Sequence, residues 1–288
     1  MPVTHSPLRY PGGKTQLFPL LRDIIIENDL RKCVYAEPFA GGSGLGLELL
    51  FSGWAAELWI NDLDPAIYAF WNSVLNQPED LCKLIDSTGI NLKEWQSQRN
   101  ILSNPDAYDP LQLGFATLYL NRTNRSGILK GGVIGGLSQA GNYKLDCRFN
   151  KADICRKIRR IAIHKSVIKL SNLDASECLS YWDSVLPERS LINIDPPYYE
   201  QGQALYLNHF QPEDHTSLST VILSLGQRWM LTYDDVPSIE ELYKGHPTYR
   251  NSLLYSAQVK RKANELVVFS TKLRVPVDAP NCNLEQAV

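Results

Sequence analysis

The 288-residue chain has no run approaching the ~18 uninterrupted apolar residues that a membrane span needs. Its opening Met-Pro-Val-Thr-His-Ser-Pro lacks a basic stretch followed by an apolar core, so no secretion signal is expected. Paired cysteines are missing too: Cys33, Cys82, Cys147, Cys155, Cys178 and Cys282 form no Cys-x-x-Cys and no paired spacing. That pattern disfavours a disulfide framework or a zinc site. It suits reduced thiols in a cytoplasmic protein with no metal and no membrane partner. With 18 Gly, 17 Pro, 44% hydrophobic and 21% charged residues, nothing supports a collagen-like, low-complexity or disordered chain. The length is about twice that of a ~150-residue domain, so one large domain or a domain with a substantial insertion is expected.

A strong net charge is also lacking, at −2, but the charge is unevenly spread. Between Arg122 and Lys169 twelve basic residues face only Asp146 and Asp153, a net +10, and the remainder carries −12. A basic block within an acidic body suits a polyanion-binding face. A solvated, lysine-rich helix face would give the same count. Lys260-Arg261-Lys262 forms a second, shorter cluster.

Leu17, Leu20, Leu21, Ile24 and Ile25 recur at helical spacing, with Pro19 expected to bend the first turns. Cys33–Glu37 reads as a buried strand ended by Pro38-Phe39-Ala40-Gly41-Gly42-Ser43-Gly44, and 45–50 resume as a helix. Glu57–Ile60 is a second strand stopping at Asn61-Asp62, and Asp64-Pro65 supplies an N-cap and a first-turn proline for the next helix. Strand, glycine turn, helix, strand, acidic end and helix is how a doubly wound α/β sheet begins. The pattern lapses over 77–165, which read as helices, a Gly-rich stretch (127–141) and a basic helix (150–164). Strands are then expected at Val167–Leu170, Leu191–Ile194, Trp229–Tyr233, Ser252–Ala257 and Leu266–Ser270, with helices near 174–183 and 213–226. The simplest division is an α/β catalytic domain of 1–76 and 166–280, an insert of 77–165 bearing the positive charge, and a tail of 281–288, with poor order expected from Asp278 on.

Four constellations carry chemistry. The Phe39–Gly44 turn places glycines where a ligand can lie against backbone N–H groups at a helix N-terminus, although such turns are sometimes merely tight turns. Asp62 ends the next strand, 18 residues past Gly44, where a carboxylate can accept both hydroxyl hydrogens of a ribose; the competing N-cap role is better filled by Asp64. Asn193-Ile-Asp195-Pro196-Pro197-Tyr198-Tyr199 closes a buried strand. Its rigid backbone would direct the Asp195 carboxylate, the Pro196 carbonyl and the Tyr198 ring into the ligand crevice. Two acceptors and a flat aromatic suit an exocyclic amine on a base: the acceptors hold its hydrogens, freeing the nitrogen lone pair, and the ring stacks. A plain rigid turn is the alternative. Leu8–Lys14 contains a Gly pair before a helix, with Lys14 placed to meet a carboxylate or phosphate. No Gly-x-x-x-x-Gly-Lys-Ser/Thr loop is present, which disfavours triphosphate hydrolysis.

Taken in order, Pro11–Lys14, Phe39–Gly44, Asp62 and Asp195–Tyr198 resemble the Dam-type (D12 class) DNA adenine-N6 methyltransferases. That family reads Pro-Gly-Gly-Lys, Phe-x-Gly-x-Gly, an Asp ending the second strand, a recognition insert and Asp-Pro-Pro-Tyr; here the last glycine of the second element is displaced by one. The resemblance implies a Rossmann-like AdoMet-dependent sheet with a mainly helical inserted target-recognition domain. It implies S-adenosylmethionine (AdoMet) as cofactor, with Tyr10, Lys14, Phe39, Gly41, Asp62 and Asp195 around it. It further implies duplex DNA methylated at a short specific site, with the adenine flipped into a pocket of Asp195, Pro196 and Tyr198. The residue chemistry agrees with direct in-line attack by adenine N6 on the sulfonium methyl.

Asn121-Arg-Thr-Asn-Arg125-Ser-Gly127-Ile-Leu-Lys130 resembles the family's recognition hairpin, which makes Arg122, Asn124, Arg125, Lys130 and Lys144 candidates for DNA binding. Arg125 is a candidate guanine reader or a filler of the space left by the flipped base. Lys144, Arg148 and Lys151 suit phosphates. Relatives carry an aromatic at the position of Arg125 and Arg at that of Lys130, which leaves the target sequence open. Two rival readings stand: an amino methyltransferase acting on RNA or protein glutamine, which usually carries Asn at the position of Asp195, and a catalytically silent DNA-binding protein. A monomer is expected; a restriction-modification partner nuclease, chromosome maintenance and phage self-protection stay open. His209 and His215 are read as structural rather than catalytic, and Trp54, Trp59 and Trp71 as core.

Overall fold

The computed structural model describes residues 4–9, 14–200, 210–255, 261–277 and 284–287. It is mixed α/β, with elements α1 (Phe18–Glu27), β1 (Cys33–Glu37), α2 (Gly44–Phe51), β2 (Ala55–Asn61), α3 (Pro65–Asn76), α4 (Pro78–Ser87), α5 (Leu92–Ser103), α6 (Pro110–Thr123), α7 (Lys151–Ile163) and β3 (Ile168–Ser171). There follow α8 (Ala175–Val185), β4 (Ser190–Ile194), α9 (Pro212–Ser224), β5 (Trp229–Asp234), α10 (Pro237–Leu242), β6 (Thr248–Tyr255), β7 (Arg261–Phe269) and β8 (Leu284–Gln286). Among the described residues no helix is long and apolar enough to cross a membrane.

The chain forms two compact units, one of Met1–Pro11 with Asp62–Asn172 and one of Gly12–Asn61 with Leu173–Val288. The division falls elsewhere than the expected 77–165 insert, because α3 joins the helical unit. Its Ala66 and Ala69 pack against Leu113 of α6, the Thr117 hydroxyl donates to the Ala66 carbonyl at 3.1 Å, and the Ser73 hydroxyl donates to that of Pro110. Strand–helix alternation cannot show this, since an amphipathic helix records that it buries a face and not which partner buries it.

In the second unit the strands run β2-β1-β4-β5-β7-β6-β8. β1 pairs in parallel with both β2 and β4, and β4 with β5. Every residue of β1, β4 and β5 is buried, as strands covered on both faces must be. The chain leaves β1 toward β2 on one side and returns at β4 on the other, so the β1/β4 boundary is a topological switch point, where open α/β sheets bind ligands. β7 is antiparallel to β5, with Asp234 opposite Glu265. That reversal brings the early residues of β7 to the edge where the parallel strands end.

Three sequence expectations change. Pro19 lies in the first turn of α1, where its missing N–H costs nothing, and does not bend an established helix. The C-terminal tail is not wholly irregular: β8 pairs with β6 across Tyr249–Asn251. β6 itself starts at Thr248, four residues before the expected strand, because its polar Thr-Tyr-Arg-Asn start gives no hydrophobic alternation.

In the helical unit, α6 carries a capping box between Asp109 and Gln112 with Pro110 in the first turn. α7 buries Ile154, Cys155, Ile158 and Ile161 on one face. Beyond α6 the backbone turns at Gly127, at φ +81°, where an added Cβ would sit 2.3 Å from the Arg9 carbonyl. Asn121 ties the same place together, accepting from the Arg9 amide at 2.7 Å and donating to the Arg9 and Gly127 carbonyls. Gly127→Ala is therefore expected to cost about 2 kcal/mol, from the left-handed backbone plus the clash, read as a lower urea midpoint.

Candidate functional site

The sheet unit gathers acidic residues at the ends of its parallel strands. β1 ends in Glu37, 5% exposed. The turn after it holds Gly41 at φ +44° and Ser43, a non-glycine, at φ +39°. Ser43 keeps that left-handed backbone while its hydroxyl donates to the Glu37 carboxylate. Asn61, ending β2, fixes the other side: its carbonyl accepts from the Ala40 amide at 2.8 Å and its side-chain amide donates to the Pro38 carbonyl at 3.1 Å. Phe39 meets Phe210 edge-on, ring centres 6.1 Å apart. Burial pushes the Glu37 carboxyl up to about 7, the Ser43 hydroxyl opposes this, and the Asp195 charge adds to it.

β4 delivers Asp195 beside that turn. Its Oδ1 accepts from the Thr232 hydroxyl of β5 at 2.8 Å and lies 3.2 Å from the Lys14 ammonium. The Asp195 side chain retains a quarter of its exposure, whereas those of Lys14 and Glu265 are at 5% and 2%. Burial raises the Asp195 carboxyl, Lys14 opposes that rise, and the Glu265 charge adds to it. Pro196 and Pro197 are buried and donate nothing. Past Tyr198, the amides of Tyr199 and Glu200 donate to the two oxygens of Asp234, each at 2.9 Å. A carboxylate at the end of β5 thus grips the backbone as it leaves the diproline.

Lys14, in a short 3-10 turn before α1, donates to Glu265 at 2.8 Å and to the Tyr198 hydroxyl. Its ammonium stands 4.8 Å from the centre of the Tyr198 ring. The sequence placed Lys14 against a ligand anion; here protein carboxylates engage it. The Tyr198 hydroxyl also donates to Glu265, so the ring is tethered at its far end. Asp195, Tyr198 and Lys14 meet in one cluster. Thr232, Asp234, Glu265 and Glu37 were missed. Glu37 and Asp234 carried a signal, since both are acids ending buried strands. Glu265 carried none.

Asp62 is half-buried, belongs to the helical unit, and its Oδ1 accepts from the Asp64 amide at 3.0 Å. Asp64 caps α3 by accepting from the Ala66 amide. Tyr10 and His209 lie outside the described residues. His215 is a core residue: its Nδ1 meets the Tyr233 hydroxyl at 2.7 Å and its ring packs on Tyr199 and Phe210. Trp71 is fully buried, whereas Trp54 and Trp59 are half-buried.

Two DNA-binding candidates are buried and spend their polar atoms on protein partners. Arg122 is 9% exposed and its guanidinium donates twice to the Pro7 carbonyl and once toward that of Arg148, so it splints the N-terminal segment to α6. Asn124 is fully buried, accepting from the Trp95 indole at 2.7 Å and donating to the Ile128 and Leu129 carbonyls. Both satisfy buried backbone, the commonest task of a polar side chain without access to water. Arg125, Lys130, Lys144 and Arg148 are exposed, and Lys144 donates to the Gln139 carbonyl. Lys151 is engaged by the Asp86 and Thr88 carbonyls at the end of α4. On α7 and α4, Asp153 pairs with Arg156 and Lys157, and Glu79 with Arg159, so part of the +10 block is neutralised within the unit.

Residues 10–261 match the family model of the D12 class N6 adenine-specific DNA methyltransferases. The chain belongs to that family. It is also similar to two solved methyltransferases. An rRNA methyltransferase from Streptomyces viridochromogenes is 13% identical over 94% of this chain and 90% of that one, at a TM-score of 0.41. A SAM-dependent methyltransferase from Agrobacterium tumefaciens is 11% identical over 90% of this chain and 62% of that one, also at 0.41. At those scores neither likeness bears on what this D12 methyltransferase does. Family membership makes it an adenine-specific DNA methyltransferase with S-adenosylmethionine as cofactor. The sheet unit fits a sulfonium donor: Asp195 and Glu265 share the Lys14 ammonium, and two carboxylates against one buried ammonium leave negative charge that a cationic ligand would offset.

Proposed function

We propose that this D12 methyltransferase methylates the exocyclic N6 of an adenine flipped out of duplex DNA at a short specific site. The observation that carries the reading is the Asp195-Pro196-Pro197-Tyr198 loop at the β1/β4 switch point. Its carboxylate is fixed by Thr232 and Lys14, and its backbone exit is gripped by Asp234. AdoMet, when bound, supplies an electrophilic methyl on a cationic sulfur. Within the sheet unit, Lys14, the 39–44 turn and Asp195 would hold it, with Glu37 at the base of the turn. Asp195 and the Pro196 carbonyl accept the two N6 hydrogens, leaving the nitrogen lone pair free for in-line attack. The Tyr198 ring receives the base face. Flipping costs a few kcal/mol of unstacking, which contacts to the extruded base and the phosphates offset.

The helical unit binds the duplex through the exposed Arg125, Lys130 and Lys144, with Arg125 reading a base edge or filling the space left by the flipped base. Replacing Arg125 and Lys130 together by Ala is expected to flatten the log–log salt dependence of DNA affinity by about 2 if both meet phosphates, and to relax site preference if Arg125 reads a base. Fluorescence anisotropy over a salt series reads the first effect. Unchanged affinity and site preference would count against the unit as reader.

Incubation with tritiated AdoMet and unmethylated DNA, structured RNA or a protein extract tests the main reading. Label on N6-methyladenine in DNA is expected. Label confined to RNA or protein would overturn it.

A further inference from the structure

Glu265 stands outside every motif of the sequence, on β7, followed by Leu266, Val267, Val268 and Phe269, all buried. It is 1% exposed itself. A carboxylate so placed carries a desolvation cost of several kcal/mol, and an interior strand position ordinarily takes an apolar residue. What it does there is visible in its contacts. One oxygen, Oε1, accepts from the Lys14 ammonium at 2.8 Å and from the Tyr198 hydroxyl. Lys14 in turn lies 3.2 Å from Asp195. Register explains the meeting: Glu265 is opposite Asp234, so both acids of that pair act on the same loop, Asp234 on its backbone and Glu265 on its tyrosine. The Tyr198 ring is then held at both ends, by the diproline backbone and by its hydroxyl, which leaves its plane little freedom.

We propose that Glu265 is a positioning residue of the methyl-transfer site, one carboxylate oxygen holding the Tyr198 ring and the Lys14 ammonium in register with Asp195. This rests on the reading in which Tyr198 receives the base. Glu265 touches neither substrate, and it acts by removing motions that would otherwise be frozen at each turnover.

Glu265→Ala, Glu265→Gln, Tyr198→Phe and the Glu265→Ala/Tyr198→Phe double variant test it. Glu265→Ala is expected to lower kcat about 30-fold, with the KM for DNA within about threefold, because the lost order is expressed in the transition state. Glutamine retains an acceptor oxygen, so Glu265→Gln is expected within about fivefold of the parent. Because Tyr198→Phe cuts the same tie, the double variant should fall well short of the product of the two single effects. A Glu265→Ala enzyme within twofold of the parent, a glutamine no better than alanine, or fully multiplicative losses would overturn the proposal.

A second reading needs neither DNA nor cofactor. Tyrosine hydroxyls bonded to carboxylates absorb at longer wavelength, so Glu265→Gln should shift the near-ultraviolet tyrosine band to the blue, and the shift should vanish when both proteins carry Tyr198→Phe. No shift, or one that persists in that background, would overturn the proposal even if Glu265→Ala does not fold. Should the parent protein place no methyl on DNA adenine, the functional reading fails while the optical comparison still decides the tie.

Discussion

Asp195→Ala is expected to lower methyl transfer to DNA about a thousand-fold or more, while duplex affinity stays within a few-fold. The carboxylate stands where β4 ends, with Thr232 and Lys14 fixing one of its oxygens and a quarter of its surface still open. An acceptor held in place before reaction needs no reorganisation as charge develops on the substrate amine, and losing one such group ordinarily costs 10²–10³-fold or more. DNA affinity depends instead on phosphate contacts, which the proposed function gives to exposed basic side chains and not to Asp195. Initial rates with tritiated AdoMet, beside anisotropy with a labelled duplex, separate the two quantities. Asp195→Asn keeps the shape and one acceptor oxygen but not the charge, and should fall between parent and alanine. An alanine variant at parental rate would remove Asp195 from the reaction.

Glu37→Gln is expected to abolish a pH dependence of stability worth about 3 kcal/mol. The Glu37 carboxyl titrates near 7 in the folded chain against an ordinary 4.5. Between those values the folded protein holds a proton that the unfolded chain has released. The stabilisation is therefore fully present below about pH 4.5 and is lost as pH rises through about 7. Each pH unit in that window removes about 1.4 kcal/mol at most. Glutamine does not titrate and keeps an oxygen for the Ser43 hydroxyl, so the variant should gain on the parent between pH 5 and pH 8. Urea midpoints of both proteins across that range measure the difference; parallel curves would show that Glu37 does not carry the proton. Above about pH 7, where the parent carboxylate is charged, its loss should also weaken binding of the cationic AdoMet.

The parts of the site legible in the sequence were those whose backbone is unusual. A diproline after an acid and a glycine turn between strand and helix announce themselves, because few residues tolerate the conformations they hold. Asp195, Pro196, Tyr198 and the 39–44 turn belong to this class, and Asp64 was recognisable as a cap for the same local reason. Arg122 and Asn124 misled because composition records that a side chain is polar and not whether water reaches it. Both lie on or beside α6, where burial turns a DNA-binding type into a splint for neighbouring carbonyls.

The amino-acid sequence alone determined the strand–helix alternation around the parallel strands, the strand-end motifs and the family, because each depends on residues close together along the chain or on a fixed linear pattern. Only the tertiary structure decided that α3 belongs with the helices, that Asp234 and Glu265 act on the Asp-Pro-Pro-Tyr loop, and that Lys14 faces protein carboxylates. The reason is antiparallel pairing: β7 runs back along β5 and sets a glutamate with no local signature opposite Asp234, 251 residues from the lysine it binds.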